Sequence, residues 1–396
     1  MQPAPCEPGV ALERVPRSSH ESDFILRLVN CRHCHFVQSL EPLQGGGLGA
    51  AALQLHRALR GEGYASTVIS TRATDSPATT DAEEFVRRGP QKAFYATGLA
   101  RRARKVARDA GAVFHAHGFY VYPNAVFGAA ARRHRRPLVC HPHGMFEPWI
   151  LARSRGKKKL AHVLFENANF RWARLWRALT PVEADQIRQQ GISARVEVIP
   201  NGIDLTPFDT PAETPAEAQR TVLFLGRLHP KKGIDLLLKA WSRWNSRFPE
   251  WKLILAGPDE GGYRAEIERS ISAGGLERVE LPGVVTGAAK IALLKQAGIF
   301  ALPSYSEGFP MAVLEALAAR RPVLISRGCH FEAAVEAGAG WLCDATPESV
   351  EQMLGEALQA DDVERNQRGH AGRNLVERSF QWPALAKQLH EICQTL

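Results

Sequence analysis

Two short stretches in the second half of this 396-residue chain combine residue types suited to gripping a phosphorylated ligand. In SYSEGFPMAVLEA (Ser304–Ala316), Glu307 and Glu315 stand eight residues apart, at the end of an expected strand and along the helix that follows. Pro310 suits the first helical turn, where its missing N–H costs nothing. The amides around Gly308, Phe309, Met311 and Ala312 are then free helix-start donors, aimed with the positive end of the dipole at an anion. Glu307 falls where a phosphate-linked group would sit, and Glu315, about two turns on, reaches the hydroxyls of a ribose. The second stretch is GRLHPKKGID, Gly226–Asp235, directly after an apolar run. There Arg227 offers a bidentate fork and Lys232 a compact point charge to one diphosphate.

The first half holds weaker signals of the same kind. Gly45-Gly46-Gly47-Leu48-Gly49 lies between a strand and a helix, and glycine lets a backbone approach a phosphate or an acceptor closely. His143-Gly144 follows the expected strand Pro137–His141, so the imidazole emerges at a strand end; His117, in HAHGFY, is a lesser candidate of the same type.

These residues need strand ends and helix starts, and the hydrophobic pattern supplies both. Apolar or β-branched runs alternate with helical stretches throughout, the pattern of parallel sheets covered by helices. Strands are expected at His35–Leu40, Ala65–Thr71, Ala112–His115, Pro137–His141, Arg177–Thr180 and Arg195–Ile199, then at Thr221–Leu225, Lys252–Ala256, Val279–Leu281, Ile299–Leu302 and Pro322–Ile325. Helices fit Leu48–Arg60, Gln91–Asp109, Tyr122–His134 and Lys157–Trp176, then Ile234–Arg247, Tyr263–Ala273, Gly287–Gln296, Pro310–Ala319 and Pro347–Gln359. Pro200–Pro215, rich in Pro, Gly, Asp and Thr, reads as a linker. The expected fold is therefore α/β, with two Rossmann-like domains facing across a cleft at the carboxyl ends of their sheets.

The set GRLHPKKGID, SYSEGFPMAVLEA and VIPNGID resembles family 4 retaining glycosyltransferases of the two-domain GT-B type, over about His35 to Leu396. The resemblance implies transfer of a sugar from a nucleotide-sugar to an acceptor with retention at the anomeric carbon. It puts Arg227 and Lys232 on the diphosphate, Glu307 on the donor sugar and Glu315 on the ribose. The backbone of Gly283, Val284 and Val285 borders the base. It places Gly46-Gly47 as the family's glycine pair and His143-Gly144 as its HG, with His143 facing the reacting sugar and His117 beside it on the acceptor side. No cofactor or bound divalent metal is implied, only a UDP- or GDP-linked co-substrate. The domains are then 24–203 for the acceptor, after a tail of 1–23, and 204–377 for the donor. A C-terminal helix, 378–396, carries Leu385, Leu389, Ile392 and Cys393 on one face and returns to the first domain.

Charge bears on the acceptor. Residues 1–200 hold 29 Lys+Arg against 16 Asp+Glu, whereas 201–396 hold 21 against 25, so the net charge of +9 comes entirely from the first half. That field favours an anionic partner. Nucleic acid is not expected, since no zinc-finger spacing or RNP-like aromatic motif is present. An anionic membrane surface fits better, because Lys157–Leu179 interleaves basic residues with Leu160, Val163, Leu164, Phe165, Trp172 and Trp176. The competing explanation of that stretch is an ordinary core helix with a basic outer face. No secretory h-region or membrane span is evident, and seven cysteines are too few for a disulfide scaffold. A cytoplasmic enzyme, peripheral on the inner face of the membrane, is the expectation, with a lipid-linked or glycan acceptor in cell-surface polysaccharide or lipopolysaccharide synthesis.

Rival readings are a nucleotide-sugar epimerase of the same shape and a non-catalytic anionic-lipid-binding protein. A nicotinamide oxidoreductase is disfavoured, because Ser70-Thr71-Arg72 stand where an acidic ribose ligand belongs. Cys31-Arg32-His33-Cys34-His35 has the form of a haem-attachment motif without an export signal, and four zinc ligands within five residues are geometrically poor. No convincing metal triad is expected.

Overall fold

The computed structural model describes residues 31–88, 93–152, 155–209 and 220–396. The expected tail 1–23, the start of the expected helix Gln91–Asp109 and positions 210–215 of the expected linker lie outside the described residues.

Among the described residues thirteen strands form two sheets whose pairings are all parallel. The first contains β1 (Arg32–Ser39), β2 (Ser66–Arg72), β3 (Glu83–Val86), β4 (Ala112–His117), β5 (Leu138–His141), β6 (Leu175–Ala178) and β7 (Arg195–Val198), in the order β3-β2-β1-β4-β5-β6-β7. The second contains β8 (Thr221–Leu225), β9 (Lys252–Ala256), β10 (Val279–Gly283), β11 (Ile299–Leu302), β12 (Val323–Ser326) and β13 (Gly340–Cys343), in the order β10-β9-β8-β11-β12-β13. Strand order reverses direction beside β1 in one sheet and beside β8 in the other, and ligands of open α/β sheets bind at such switch points. The loops after β1 and β8 carry the glycine run and GRLHPKKGID, so the topology delivers both to one level. The fold is α/β of the GT-B type.

In the second domain Phe224, Leu237, Trp241, Leu255, Phe300, Leu314, Leu324 and Leu354 belong to one apolar cluster. Strands covered on both faces read as continuous apolar runs, which is why TVLFL and KLILA are buried almost throughout. The first domain is divided. Phe36, Phe114, Phe127, Phe146 and Trp176 fill one face of its sheet. On the other face Leu55, Leu59, Val113, Val139 and Leu175 meet Trp382, Leu385, Leu389 and Cys393 of the C-terminal helix Trp382–Cys393. The chain crosses between domains twice, side by side: Ile203 N–H donates to the Phe380 carbonyl at 2.8 Å. A Cβ on Gly202 would fall 2.7 Å from the Trp382 ring, so only glycine fits that crossing.

Several expected elements shift. Lys157–Trp176 is not one helix: Arg155–Ala161 passes through a π turn, His162–Glu166, into Asn167–Trp172, and Leu175 and Trp176 belong to β6. A short apolar run fits a buried strand as well as a helix face, and both residues are fully buried. Expected strand Arg177–Thr180 accordingly begins two residues earlier, as Leu175–Ala178. Edge strands β3 and β13 carry too little periodicity to be expected. The helix after β1 starts at Pro42 rather than Leu48 and is kinked at Gly46 (φ 50°, ψ −144°).

Candidate functional site

A cavity of about 1740 Å³ lies between the carboxyl ends of the two sheets. The first domain contributes Gly45, Gly46, Gly47 and Leu48; the second contributes Arg227, Glu260, Lys290, Met311 and Glu315. The glycines have separable jobs. A Cβ at Gly45 or Gly49 would fall 2.2 or 2.6 Å from the Ser39 carbonyl, so these two let the turn press onto the end of β1. Gly46 and Gly47 meet nothing within 4 Å, which leaves their backbone open to a ligand.

On the opposite wall Arg227, just past the end of β8, pairs with Glu260, and its side chain is 59% exposed. Glu315, on the helix Met311–Ala318, accepts from Lys290 Nζ at 2.6 Å. Both cations are held by a carboxylate that an incoming anion would have to displace or join.

Lys232 and Glu307 do not line this cavity. Lys232 Nζ donates to both Glu307 carboxylate oxygens, at 2.6 and 2.8 Å, and Ser304 Oγ donates to Glu307 Oε1 at 2.6 Å. They sit behind a junction where the domains touch: a Cβ on Gly144 would stand 3.0 Å from the Gly308 Cα. Glu147, 2% exposed, ties that junction by pairing with Lys231 and accepting from Ser306 Oγ at 2.7 Å. Glu147 is a residue the sequence reading missed; an acid four positions past His143, inside a strongly basic stretch, is the signal that could have found it.

His143 takes a positive φ of 53° beside Gly144 at 79°, so the HG pair is a left-handed turn. Glu183, also unforeseen, pins it by accepting from the Gly144 amide at 2.5 Å and the Leu179 amide at 2.7 Å. Burial pushes the Glu183 carboxyl up to about 7. Burial, reinforced by Arg177, pulls His143 down to about 3, so its imidazole is neutral at physiological pH. His143 Nε2 meets His117 Nδ1 at 2.9 Å, and His117 Nε2 meets His35 Nδ1 at 3.0 Å. His117 is 1% exposed and stands behind His143, buried in the first sheet.

The helix-start donors also differ from expectation. Pro310 is the cap and Met311 the first helical residue, and the Met311 amide donates to the Phe309 carbonyl at 3.0 Å. Gly283 ends β10 and Val284 and Val285 follow it, all three outside the cavity lining, with Val284 64% exposed. Among the described residues, three sets of His and Cys side chains bring their donor atoms within 4.8 Å of one another.

Residues 207–375 match the family described as Glycosyl transferases group 1, and 45–207 match Glycosyltransferase Family 4. Among curated relatives, a GDP-mannose:cellobiosyl-diphosphopolyprenol alpha-mannosyltransferase of Xanthomonas campestris is 30% identical over 63% of this chain and 65% of its own length. A D-inositol 3-phosphate glycosyltransferase of Arthrobacter is 32% identical over 53% of this chain and 52% of its own. The chain thus spans between half and two thirds of the length of these relatives. The crystal structure of Anabaena Alr3699/HepE in complex with UDP and glucose superimposes with a TM-score of 0.72 at 20% identity, over 92% of this chain and 100% of that one. Sucrose-phosphate synthase from Thermosynechococcus elongatus does so at 0.71 and 19%, over 92% and 98%. With its two matches running together from residue 45 to 375, the chain belongs to the family 4, group 1 glycosyltransferases.

Proposed function

We propose that this protein transfers a sugar, with retention, from a nucleoside-diphosphate sugar to an acceptor hydroxyl. The observation that carries the reading is the interdomain cavity walled by Arg227, Lys290 and Glu315 on one side and by the open backbone of Gly46-Gly47 on the other. Glu315 faces the ribose, and Arg227 takes the diphosphate. Lys232 and Glu307 come into play as Gly144 and Gly308 part to admit the donor sugar. Breaking the sugar–phosphate bond develops negative charge on the leaving diphosphate. Preorganised cations stabilise that charge without proton transfer. Neutral His143 contacts the sugar from the first domain, and the leaving phosphate takes the proton of the acceptor hydroxyl attacking on the same face.

The acceptor is lipid-linked and anionic in this reading, and the work is assembly of a cell-surface glycan at the inner face of a membrane. The relative's polyprenol-diphosphate acceptor supports the class. So do Leu160, Val163 and Leu164, which are 61–70% exposed on the basic segment Arg155–Glu166, beside exposed Lys159. Apolar side chains among basic ones suit an anionic interface. Among the described residues no helix is long and apolar enough to cross a membrane.

Screening UDP- and GDP-sugars for thermal stabilisation identifies the donor. Release of nucleoside diphosphate only when a polyprenol-diphosphate-linked glycan is present then establishes transfer. Conversion of the donor sugar without acceptor would instead make the protein an epimerase. Glu307→Ala and Lys232→Ala are each expected to lower turnover by about 10²–10³, read as initial rates on protein whose circular dichroism is unchanged.

A further inference from the structure

At the opposite end of β1 from the cavity, about 25 Å away along the strand, a second polar assembly lies under the C-terminal helix. Cys31 and His33 point to the same face because they are two residues apart on an extended chain. His390 and Cys393 share a face of the helix Trp382–Cys393 because they are three apart. The fold therefore opposes a Cys-x-His pair and a His-x-x-Cys pair, brought together from the two ends of the described chain.

The distances suit a tetrahedral metal. His33 Nε2 and His390 Nδ1 are 2.9 Å apart, and Cys31 Sγ is 3.8 Å from His33 Nε2. A zinc ion with Zn–N near 2.05 Å and Zn–S near 2.3 Å has tetrahedral edges of about 3.3 Å between nitrogens and about 3.6 Å between nitrogen and sulfur. The donor atoms of Cys31, His33 and His390 all lie within 4.8 Å of one another, and Cys393 Sγ lies within 4.8 Å of donor atoms of His33 and His115. Cys393 shares a helix with His390 and is the thiol placed to supply the fourth ligand. The outer contacts fit as well. His33 Nδ1 meets His115 Nε2 at 2.9 Å, so a metal on Nε2 leaves the proton on Nδ1, donated to His115. That is the hydrogen bond which orients metal-bound imidazoles. The His390 ring stacks on Tyr64 with centroids 3.7 Å apart, which fixes its plane.

We propose that Cys31, His33, His390 and Cys393 form a site for zinc, or another borderline-soft divalent cation, that clips the C-terminal helix to the first strand. Binding replaces the thiol protons of Cys31 and Cys393, which leave to solvent, and the proton between His33 Nε2 and His390 Nδ1 leaves that position by tautomeric shift, so that each neutral imidazole carries its one proton on the outer nitrogen, His33 Nδ1 and His390 Nε2. The mixed thiolate and imidazole donors favour zinc over magnesium or calcium, which take oxygen ligands. Because all four ligands are protein side chains, the ion is structural and holds the first strand and the C-terminal helix together.

The test uses the full chain made without a polyhistidine tag. Elemental analysis after zinc loading and desalting is expected to find about one zinc per chain, and cobalt substitution is expected to give a thiolate-to-cobalt charge-transfer band. Cys31→Ser is expected to lose that band, and His390→Ala to release the ion. His115→Ala, which removes only the outer hydrogen bond, is expected to weaken zinc affinity about 10- to 100-fold in competition with a chelating dye. Absence of both retained zinc and a thiolate band from the unmodified chain overturns the proposal, whatever the variants do. Retention of the ion by Cys31→Ser and His390→Ala together, with loss in His141→Ala, also overturns it and moves the ion to His117, His141 and His143.

Discussion

Corresponding positions of the two sheets are filled with opposite chemistry. In the second domain β8, β9, β11 and β12 bury Val222, Leu223, Leu253, Ile299, Phe300 and Leu324 with no polar layer between them. In the first, the strands under the C-terminal helix carry His33, His35, His115, His117 and His141, with Arg177 on β6, all at most 1% exposed. Each imidazole there is paired chiefly with another imidazole, as in His390–His33–His115–His141 at 2.9 to 3.0 Å. The Nδ1 of His141, the Nε2 of His35 and one terminal nitrogen of Arg177 are buried without a hydrogen-bond partner. The strands of the second sheet thus meet through apolar contacts, whereas one face of the first sheet adds a polar network to its apolar cores, and such a network rewards complete pairing and penalises a gap.

The largest effect that would sharpen the contrast is in the apolar half. Phe300→Ala removes a fully buried ring from β11 and is expected to cost about 3–5 kcal/mol, measured by urea unfolding. A loss below about 1 kcal/mol would mean that the second core is loosely packed. Arg227→Ala acts on chemistry instead. Its side chain is mostly exposed, so stability should stay within about 0.5 kcal/mol while turnover falls about 10²-fold or more. Unchanged turnover would remove Arg227 from the donor wall.

The same contrast explains what could be read from sequence. The second half was legible because its strands are unbroken apolar runs and its polar residues cluster at strand ends, so Arg227 and Glu315 stood out and do meet one cavity. The alternation of histidines in RHCHFVQS and AVFHAH was visible, but only the register of β1 beside β4 makes His33 and His115 neighbours. No spacing rule joins Cys31 to Cys393. Glu147 and Glu183 act on backbone amides and on the other domain, contacts that one-dimensional patterns do not encode.

Acid should separate the halves. His56 is held down to about 4 and His143 to about 3, and His117 and His141 lie well below their usual value, in each case chiefly by burial. Between those values and 6.5 the unfolded chain binds protons that the folded one refuses, so stability is lost as pH falls below 6.5. Glu166 and Glu183, raised by burial to about 7, oppose this, because the folded state keeps their protons between 4.5 and 7. Four histidines outnumber two carboxyls, and each net proton is worth about 1.4 kcal/mol per pH unit. Urea midpoints at pH 7 and pH 5, followed by Trp176 in the first domain and Trp241 in the second, are expected to fall mainly for the first. Parallel falls would show that the histidine layer does not set acid stability.

The smallest effect on stability tests the outer surface of the same basic half. Leu164 is 69% exposed on the segment that carries Lys159, so Leu164→Ser removes almost no packing, and unfolding should shift by less than about 0.5 kcal/mol. Its cost should appear elsewhere, as weaker retention on vesicles rich in anionic lipid. An apolar side chain and nearby cations act together there, about 1 kcal/mol for each basic residue close to the surface. Salt should weaken the electrostatic part in both proteins and leave the difference due to Leu164 largely in place, since screening acts on charge and not on apolar burial. Sedimentation with vesicles at two salt concentrations makes that separation. Equal retention of both proteins at both concentrations would assign the exposed leucines no part in membrane contact, and the positive field of the first half would then serve the acceptor alone.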